Sequence, residues 1–490
     1  LAWSRGLGDV YKRQVQGGGT TTEFKIQGDQ YEANRHYFLS QFFRDHYAEY
    51  LENLPLITSP VQISKVEVWV TNERSATQNL RNIVAFMDLG ADEEYAYRNS
   101  TAPLSGISIF PGSNANIAGF PNNANNQLDP LALALSIPGV RDISTANQDL
   151  STSGFLEARE YVELANARKL EQNQFTVHPQ LGYITLNQSL NQDEVLAVAF
   201  QYTAGGRTYQ VGEFSNDGVT PPSTLILKLL KSTVLDVRIP TWDLMMKNIY
   251  SLNAFQLDKE DFYLDILYMN DETGVPIPFL PNGNLSDTLL IGVMELDRLN
   301  NNNDPYPDGI FDFVQGVTID KQRGRIMFPV VEPFGKNLYD KLDTEKAREK
   351  YVYQALYDST RFRAQEQTQL NKYILRGQYK SASGSEISLG AFNIPKGSVS
   401  VTAGGRTLVE NQDYTVDYSL GRVRIINEGI MSAGSPIKVN FENNTLFNVQ
   451  TKTFYGTTID HKVNDKLNIG GTWLHPVSYT HLTLPTISSV

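Results

Sequence analysis

One short pattern occurs three times in this chain and limits the fold more than any total does. It reads FTVHPQLGYITLN from Phe175, VTIDKQRGRIMF from Val317 and YTVDYSLGRVRII from Tyr414. In each copy, Thr and then Val or Ile precede His178, Asp320 or Asp417, where a short polar side chain can bond a turn backbone. After three variable residues stands Gly182, Gly324 or Gly421, where a left-handed φ is wanted. The second and fourth residues beyond are apolar: Ile184 and Leu186, Ile326 and Phe328, Val423 and Ile425. Alternation on both sides of a glycine-ended loop predicts a hairpin with one buried face, and the three glycines are its structural turns. Unequal spacing between copies excludes a regular solenoid. The fold class that follows is mainly β with a few helices, built as β-rich modules with repeated hairpins.

The chain has no Cys, which removes disulfides and thiolate zinc sites and suits an exported protein. Its formal net charge of −12 gives nucleic acid no electrostatic foothold, so no nucleic-acid partner is expected. No apolar run reaches the ~20 residues of a spanning helix. The nearest, LALALSIPGV from Leu131, contains Pro138. A membrane β-barrel stays open, because its strands are short and alternating. The chain starts at Leu1 rather than Met and reads as a fragment. Residues 1–14 (LAWSRGLGDVYKRQ) and 476–490 (PVSYTHLTLPTISSV) resemble translated sequencing-adapter tails and are set aside.

Between the tails, Leu39, Phe43, Tyr47, Tyr50 and Leu54 fall at helical spacing, with Pro55 as the stop. His36 and His46 flank that stretch; no third ligand is near, so a structural role is read over a metal site. Strands follow at Val66–Val70 and from Ile83. The Asn- and Gly-rich stretch 91–126 reads as a surface excursion. Short helices are expected at Leu131 and over Gly154–Leu170, with a strand at EYVEL as the competing reading of the latter. AGGRT occurs at Ala204–Thr208 and Ala403–Thr407, as a tight hairpin turn rather than an anion-binding loop. Thr344 and Glu345 open a helix with Ala347, Tyr351 and Ala355 on one face.

Only the stretch LDRLNNNNDPYPDGIFDF tempts toward metal. Asn302, Asp304, Asp308 and Asp312 are hard oxygen donors of the kind Ca²⁺ prefers. The sixth loop position lacks the required Gly, and Pro305 and Pro307 interrupt it, so a turn-rich polar loop is the stronger reading. No Gly-rich phosphate loop, GxSxG, HExxH or CxxC occurs, so no catalytic site, cofactor or enzyme activity is assigned. The last stretch, LFNVQTKTFYGTTIDHKVNDKLNIGGTWLHP, alternates through two ~10-residue runs with aromatics near the ends, the pattern of an outer-membrane hairpin; a soluble meander writes the same pattern. The expected modules are 15–224 with an N-terminal helix, 225–340, and 341–446 as a helix plus a compact all-β unit. Candidate barrel strands at 447–475 complete the series.

Long strings of the chain resemble one family. VEVWVTNERSATQNLRNIVAFMDLG, LGYITLNQSLNQDEVLAVAFQYTAGGRTYQVGEFS, IPTWDLMMKNIYSLNAFQLDKEDFYLDILY, MELDRLNNNNDPYPDGIFDFVQGVTID and GSVSVTAGGRTLVENQDYTVDYSLGRVRIINEGI are similar to the SprA (Sov) family. The resemblance spans roughly Gln16 to Leu474. These are giant outer-membrane proteins of the Bacteroidota type IX secretion and gliding-motility machinery. The resemblance implies a large β-barrel translocon with soluble modules between its strands, at the periplasmic or extracellular face. It also implies secreted cargo proteins, a small outer-membrane barrel partner and a plug protein as partners, and a structural transport role without catalysis. The family offers no catalytic motif to carry over. The alternatives are a cell-surface adhesin or glycan-binding protein of stacked β domains, which the aromatic content permits, and a periplasmic enzyme.

Overall fold

The computed structural model describes residues 21–72, 78–100, 109–110, 119–254, 257–260, 262–380, 386–389, 394, 396–419, 421–427, 430, 437–441, 452–464 and 467–478. They fall into two compact units, one within 17–385 and one within 386–490.

All three copies of the repeated pattern form the predicted hairpin. Phe175–His178 pairs with Tyr183–Leu186, Ile319–Asp320 with Arg325–Met327, and Tyr414–Asp417 with Arg422–Ile425. Gly182, Gly324 and Gly421 sit at φ +64°, +60° and +61°, a left-handed corner that a Cβ disfavours. The structure adds a third strand to every copy. His36–Phe38, Ile249–Ser251 and Glu386–Ser388 pair antiparallel with the strand after the glycine, which is thereby central each time. The register is the same throughout. Ile184, Ile326 and Val423, two residues past the glycine, lie between Tyr37 and Val177, Tyr250 and Ile319, and Ile387 and Val416. The residue closing each third strand is a leucine whose backbone N–H donates to the glycine carbonyl: Leu39 to Gly182 (2.9 Å), Leu252 to Gly324 (2.8 Å) and Leu389 to Gly421 (2.8 Å).

Two of these corners are also crowded. A Cβ on Gly182 would lie 2.3 Å from the Phe43 ring, and one on Gly324 would lie 2.4 Å from the Ala254 carbonyl oxygen. Phe43 comes from the stretch predicted as one helix, which is instead two short helices, Gln41–Asp45 and Tyr47–Tyr50. The predicted apolar face is nonetheless buried, with Leu39, Phe43, Tyr47, Tyr50 and Leu54 all in the core.

Within the first unit, Leu225–Lys231, Leu80–Phe86, Tyr161–Lys169, Val61–Val70 and Leu196–Ala204 pair in that order. Leu225–Lys231 then pairs back with Leu196–Ala204, which closes a five-stranded barrel. Alternation assigns the two faces. Trp69, Ile83, Ala85, Val162, Ala167, Ala197, Ala199, Leu225, Leu227 and Leu229, drawn from all five strands, form one small cluster, the barrel interior. The alternate positions join the larger core of the unit. So few strands leave room only for side chains. Trp69 is paired directly with Ala197, and alanine at 85, 167 and 199 keeps the volume within bounds. A bulge at Asn166 (φ +52°) lets Val162 and Ala167 face inward despite their opposite parity.

Several expectations need correction. The helix over Gly154–Leu170 is the barrel strand Tyr161–Lys169, because tertiary pairing with Leu80–Phe86 overrides a pattern that fits either structure. A module boundary at 224/225 would cut the barrel, since Leu225–Lys231 is one of its staves. The boundary at 340/341 fails similarly: Tyr373–Lys380 pairs with both Thr21–Gln27 and Tyr263–Met269 in one sheet. The helix from Glu345 ends at Tyr351, and Ala355 belongs to the next helix, Ala355–Asp358. Asn125 and Asn126, read as surface, are buried; their amides donate to the carbonyls of Gly90 and Phe120, and of Asp88 and Ala91. The final strand runs to Ser478, three residues into the segment set aside as a tail. Residues 1–14 and 479–490 lie outside the described residues.

In the second unit, the three-stranded sheet of the third copy shares one core with the sheet Arg406–Thr407, Ser400–Ala403 and Ile437–Asn440. Both AGGRT segments are two-glycine turns with positive φ at each glycine, +57° and +76° for Gly205 and Gly206, +56° and +86° for Gly404 and Gly405, the type I′ pattern.

Replacing Gly182 or Gly324 by Ala should cost about 1–3 kcal/mol in backbone strain, with the clash added. Gly205→Ala, also left-handed but with open space around its Cβ position, should cost visibly less. Urea unfolding of the three variants reads this directly, and equal losses would show that close packing at the two corners contributes nothing.

Candidate functional site

Two of the four donors of the suspected cation loop, Asp308 and Asp312, are turned onto the backbone, and the Asp304 carboxylate accepts from the Asn300 amide (3.2 Å). Asn300 Oδ1 accepts from the N–H groups of Asn302 and Asp304 (2.8 and 3.0 Å). Asp308 accepts from Ile310 N–H, and Asp312 from Arg298 and Leu299 N–H (2.6 and 3.0 Å). Asp297, which the sequence pattern did not single out, accepts from Asp308 and Gly309 N–H. Burial pushes the Asp312 carboxyl up to about 6, with nearby Asp297 and Asp308 adding to the shift and its backbone hydrogen bonds opposing it. Among the described residues, no group of three or more His, Cys, Asp or Glu is arranged to hold a metal ion. The carboxylates shape a turn-rich loop, as Asx side chains do. The melting temperature should therefore be the same in millimolar Ca²⁺ and in chelator; a rise with Ca²⁺ would restore the cation reading.

Two buried ionic clusters escaped the sequence reading. The first lies on the outer face of the barrel. Lys228, alternating with Leu227 and Leu229, is buried, and its ammonium donates to the Met87 carbonyl. Burial pulls its pKa down to about 8 against the attraction of Asp88. Asp88 accepts from Tyr97 and Arg98 N–H (3.0 and 2.9 Å), and the Arg98 guanidinium pairs with Glu160 at 2.9 Å. Arg141 grips both oxygens of Glu213 at 2.6 and 2.7 Å. These ties, with Asn125 and Asn126, fasten the long connection between two barrel strands. The only signal in the sequence was a lone charge in an apolar run, as in LILKLLKS and VAFMDLG. Arg98→Met would leave Glu160 buried without its partner, and should cost about 3–5 kcal/mol in denaturant unfolding. A loss below about 1 kcal/mol, the scale of an exposed pair, would contradict its burial.

The second cluster surrounds His36. Its Nε2–H donates to Glu32 (3.0 Å), and its Nδ1 accepts from the Thr185 hydroxyl (2.8 Å). Glu32 also takes Arg325 Nε at 2.5 Å and a short contact from Arg35. Burial draws His36 down to about 4, partly offset by Glu32. Burial alone would raise Glu32, but the His36 hydrogen bond and the charge of Arg325 hold it well below the usual carboxylate range. An acid, an imidazole and a hydroxyl in line resemble a nucleophile relay, but Thr185 and His36 are 8% and 1% exposed, with no room for a substrate. His46 stands apart from this cluster. Its Nδ1–H donates to the Phe42 carbonyl (2.8 Å), and its ring stacks on Tyr50 and meets the Phe42 ring at a tilt.

The candidate membrane segment is the longest strand pair in the described residues. Lys452–Asn464 and Leu467–Ser478, of 13 and 12 residues, run antiparallel. The register sets Thr457 opposite Trp473, Ile459 opposite Gly471 and His461 opposite Ile469. No described helix is long and apolar enough to cross a membrane.

Residues 10–195 match SprA_N, a family described as motility related/secretion protein. The matched range holds the first glycine hairpin and three of the five barrel strands. No curated protein matches the chain.

Proposed function

We propose, for a chain that belongs to the SprA family across residues 10–195, a structural part in a protein-secretion and gliding-motility apparatus of the outer membrane. In this reading the first unit and the sandwich of the second are soluble modules, and the long hairpin Lys452–Asn464 with Leu467–Ser478 opens a membrane barrel. The observation that carries it is strand length: a tilted membrane strand needs about 9–11 residues. These two strands exceed that, while no other described strand passes 10 residues. The five-stranded barrel supports the assignment by what it is unfit for. Its interior is filled by Trp69 and its neighbours, so cargo would pass through the larger barrel of the complete protein. Secreted proteins, a small barrel partner and a plug are the expected partners, and the role is mechanical rather than catalytic.

The experiment is membrane-depth labelling of the full-length protein in its native membrane, at position 469 against position 468. Adjacent positions point to opposite sides, so Ile469 should be shielded by lipid and Asn468 open to water. Equal aqueous accessibility at both would make the hairpin a soluble meander and remove the barrel assignment.

A further inference from the structure

We propose that the Glu32–His36–Arg325 cluster is an acid-released clasp joining the first two hairpin units. Its members come from both. His36 opens the third strand of the first hairpin's sheet, and Thr185 lies on that sheet's central strand. Arg325 is the first residue past the glycine of the second hairpin, within the same compact unit. Glu32 holds them together, accepting from His36, Arg325 and Arg35 at once.

The charges balance only while His36 is neutral. Facing it are Glu32 and Arg35 on its own segment and Arg325 and Asp320 on the second hairpin, with Asp320 3.9 Å from Arg325. Tyr183, on the strand behind, is uncharged, and burial also keeps His178, stacked on Tyr183, neutral by drawing it down to about 4. Arg323, whose side chain is 31% exposed, also reaches Asp320 at 3.6 Å; the more deeply buried cations, Arg35 and Arg325, meet two anions. A proton on His36 adds an uncompensated charge in a place almost closed to water. Protonating Glu32 has the same effect, so the clasp fails in one direction only, toward acid.

The sign follows from linkage. Once released, His36 titrates near its ordinary value of about 6.5, whereas in the clasp it titrates near 4. The closed form is fully favoured above the first value and loses stability steadily as pH falls toward the second. The element the clasp holds is small. His36–Phe38 is three residues long, with a further bridge from Tyr37 to Met245 and backbone hydrogen bonds from Leu39 to Gly182 and from Met246 to His36. Its departure would uncover the edge of Tyr183–Leu186 and the apolar Phe38 and Leu39, leaving the barrel closed.

Hydrogen exchange followed by mass spectrometry on the full chain, corrected for the intrinsic pH dependence of exchange, tests this. Protection of the segment 31–40 should fall about tenfold per pH unit between about pH 6.5 and 4, the slope of one bound proton, while the barrel strand Leu196–Ala204 keeps its protection. His36→Gln, which cannot take up a proton, should abolish the slope. A flat profile in the unmodified chain would overturn the proposal without recourse to any variant. So would loss of protection in 31–40 and Leu196–Ala204 together, or a slope that survives in His36→Gln.

Discussion

The architecture depends on one backbone arrangement, a left-handed glycine whose carbonyl receives the N–H of a distant leucine. The positive φ at Gly182, Gly324 and Gly421 lets the chain reverse within a tight loop. It also turns the glycine carbonyl toward the third strand, where Leu39, Leu252 and Leu389 meet it. Local hairpin and non-local strand are thereby locked into one register. The residue two places past each glycine ends with no solvent exposure, between two apolar neighbours. A one-residue slip would turn that residue to the opposite face, so the corner fixes the core as well as the turn.

Around these units the protein buries charge in balanced groups. Lys228 and Arg98 oppose Asp88 and Glu160 on the barrel's outer face, and Arg35 and Arg325 oppose Glu32 and Asp320 between the hairpins. A buried ion pair adds little net stability over an apolar replacement, yet removing one partner is costly. Such groups therefore specify which segments meet more than they strengthen the meeting.

Much of the repeated hairpin was legible because it is local. Thr, Val, Asp or His, a glycine and two alternating apolar residues are read within a dozen positions, and each falls where expected. The partners of those hairpins were not legible. HYFL, IYSL and EISL lie far from the glycines they serve, and three residues are too few to carry a period. The barrel was hidden for the same reason: Leu225–Lys231 pairs parallel with Leu80–Phe86 and antiparallel with Leu196–Ala204, across long separations. Tyr161–Lys169 read as a helix because its spacing fits both forms, and Asn125 and Asn126 read as surface because composition cannot show a buried carbonyl awaiting an amide. At the Asp-rich loop the residue types were visible, but their hydrogen-bond partners, which decide between a cation site and a folded turn, were not.

The claim that three separate stretches build one recurring unit rests on three hydrogen bonds, and each can be followed through a single amide. Residue-resolved hydrogen exchange at Leu39, Leu252 and Leu389 is the direct measurement, in the unmodified chain and with Ala at the glycine of each unit. The account predicts slow exchange at all three leucine amides, and faster exchange at the leucine facing whichever glycine is replaced, with the other two unchanged. Leucine amides that exchange as fast as exposed loop positions, or that ignore replacement of their glycine, would contradict it.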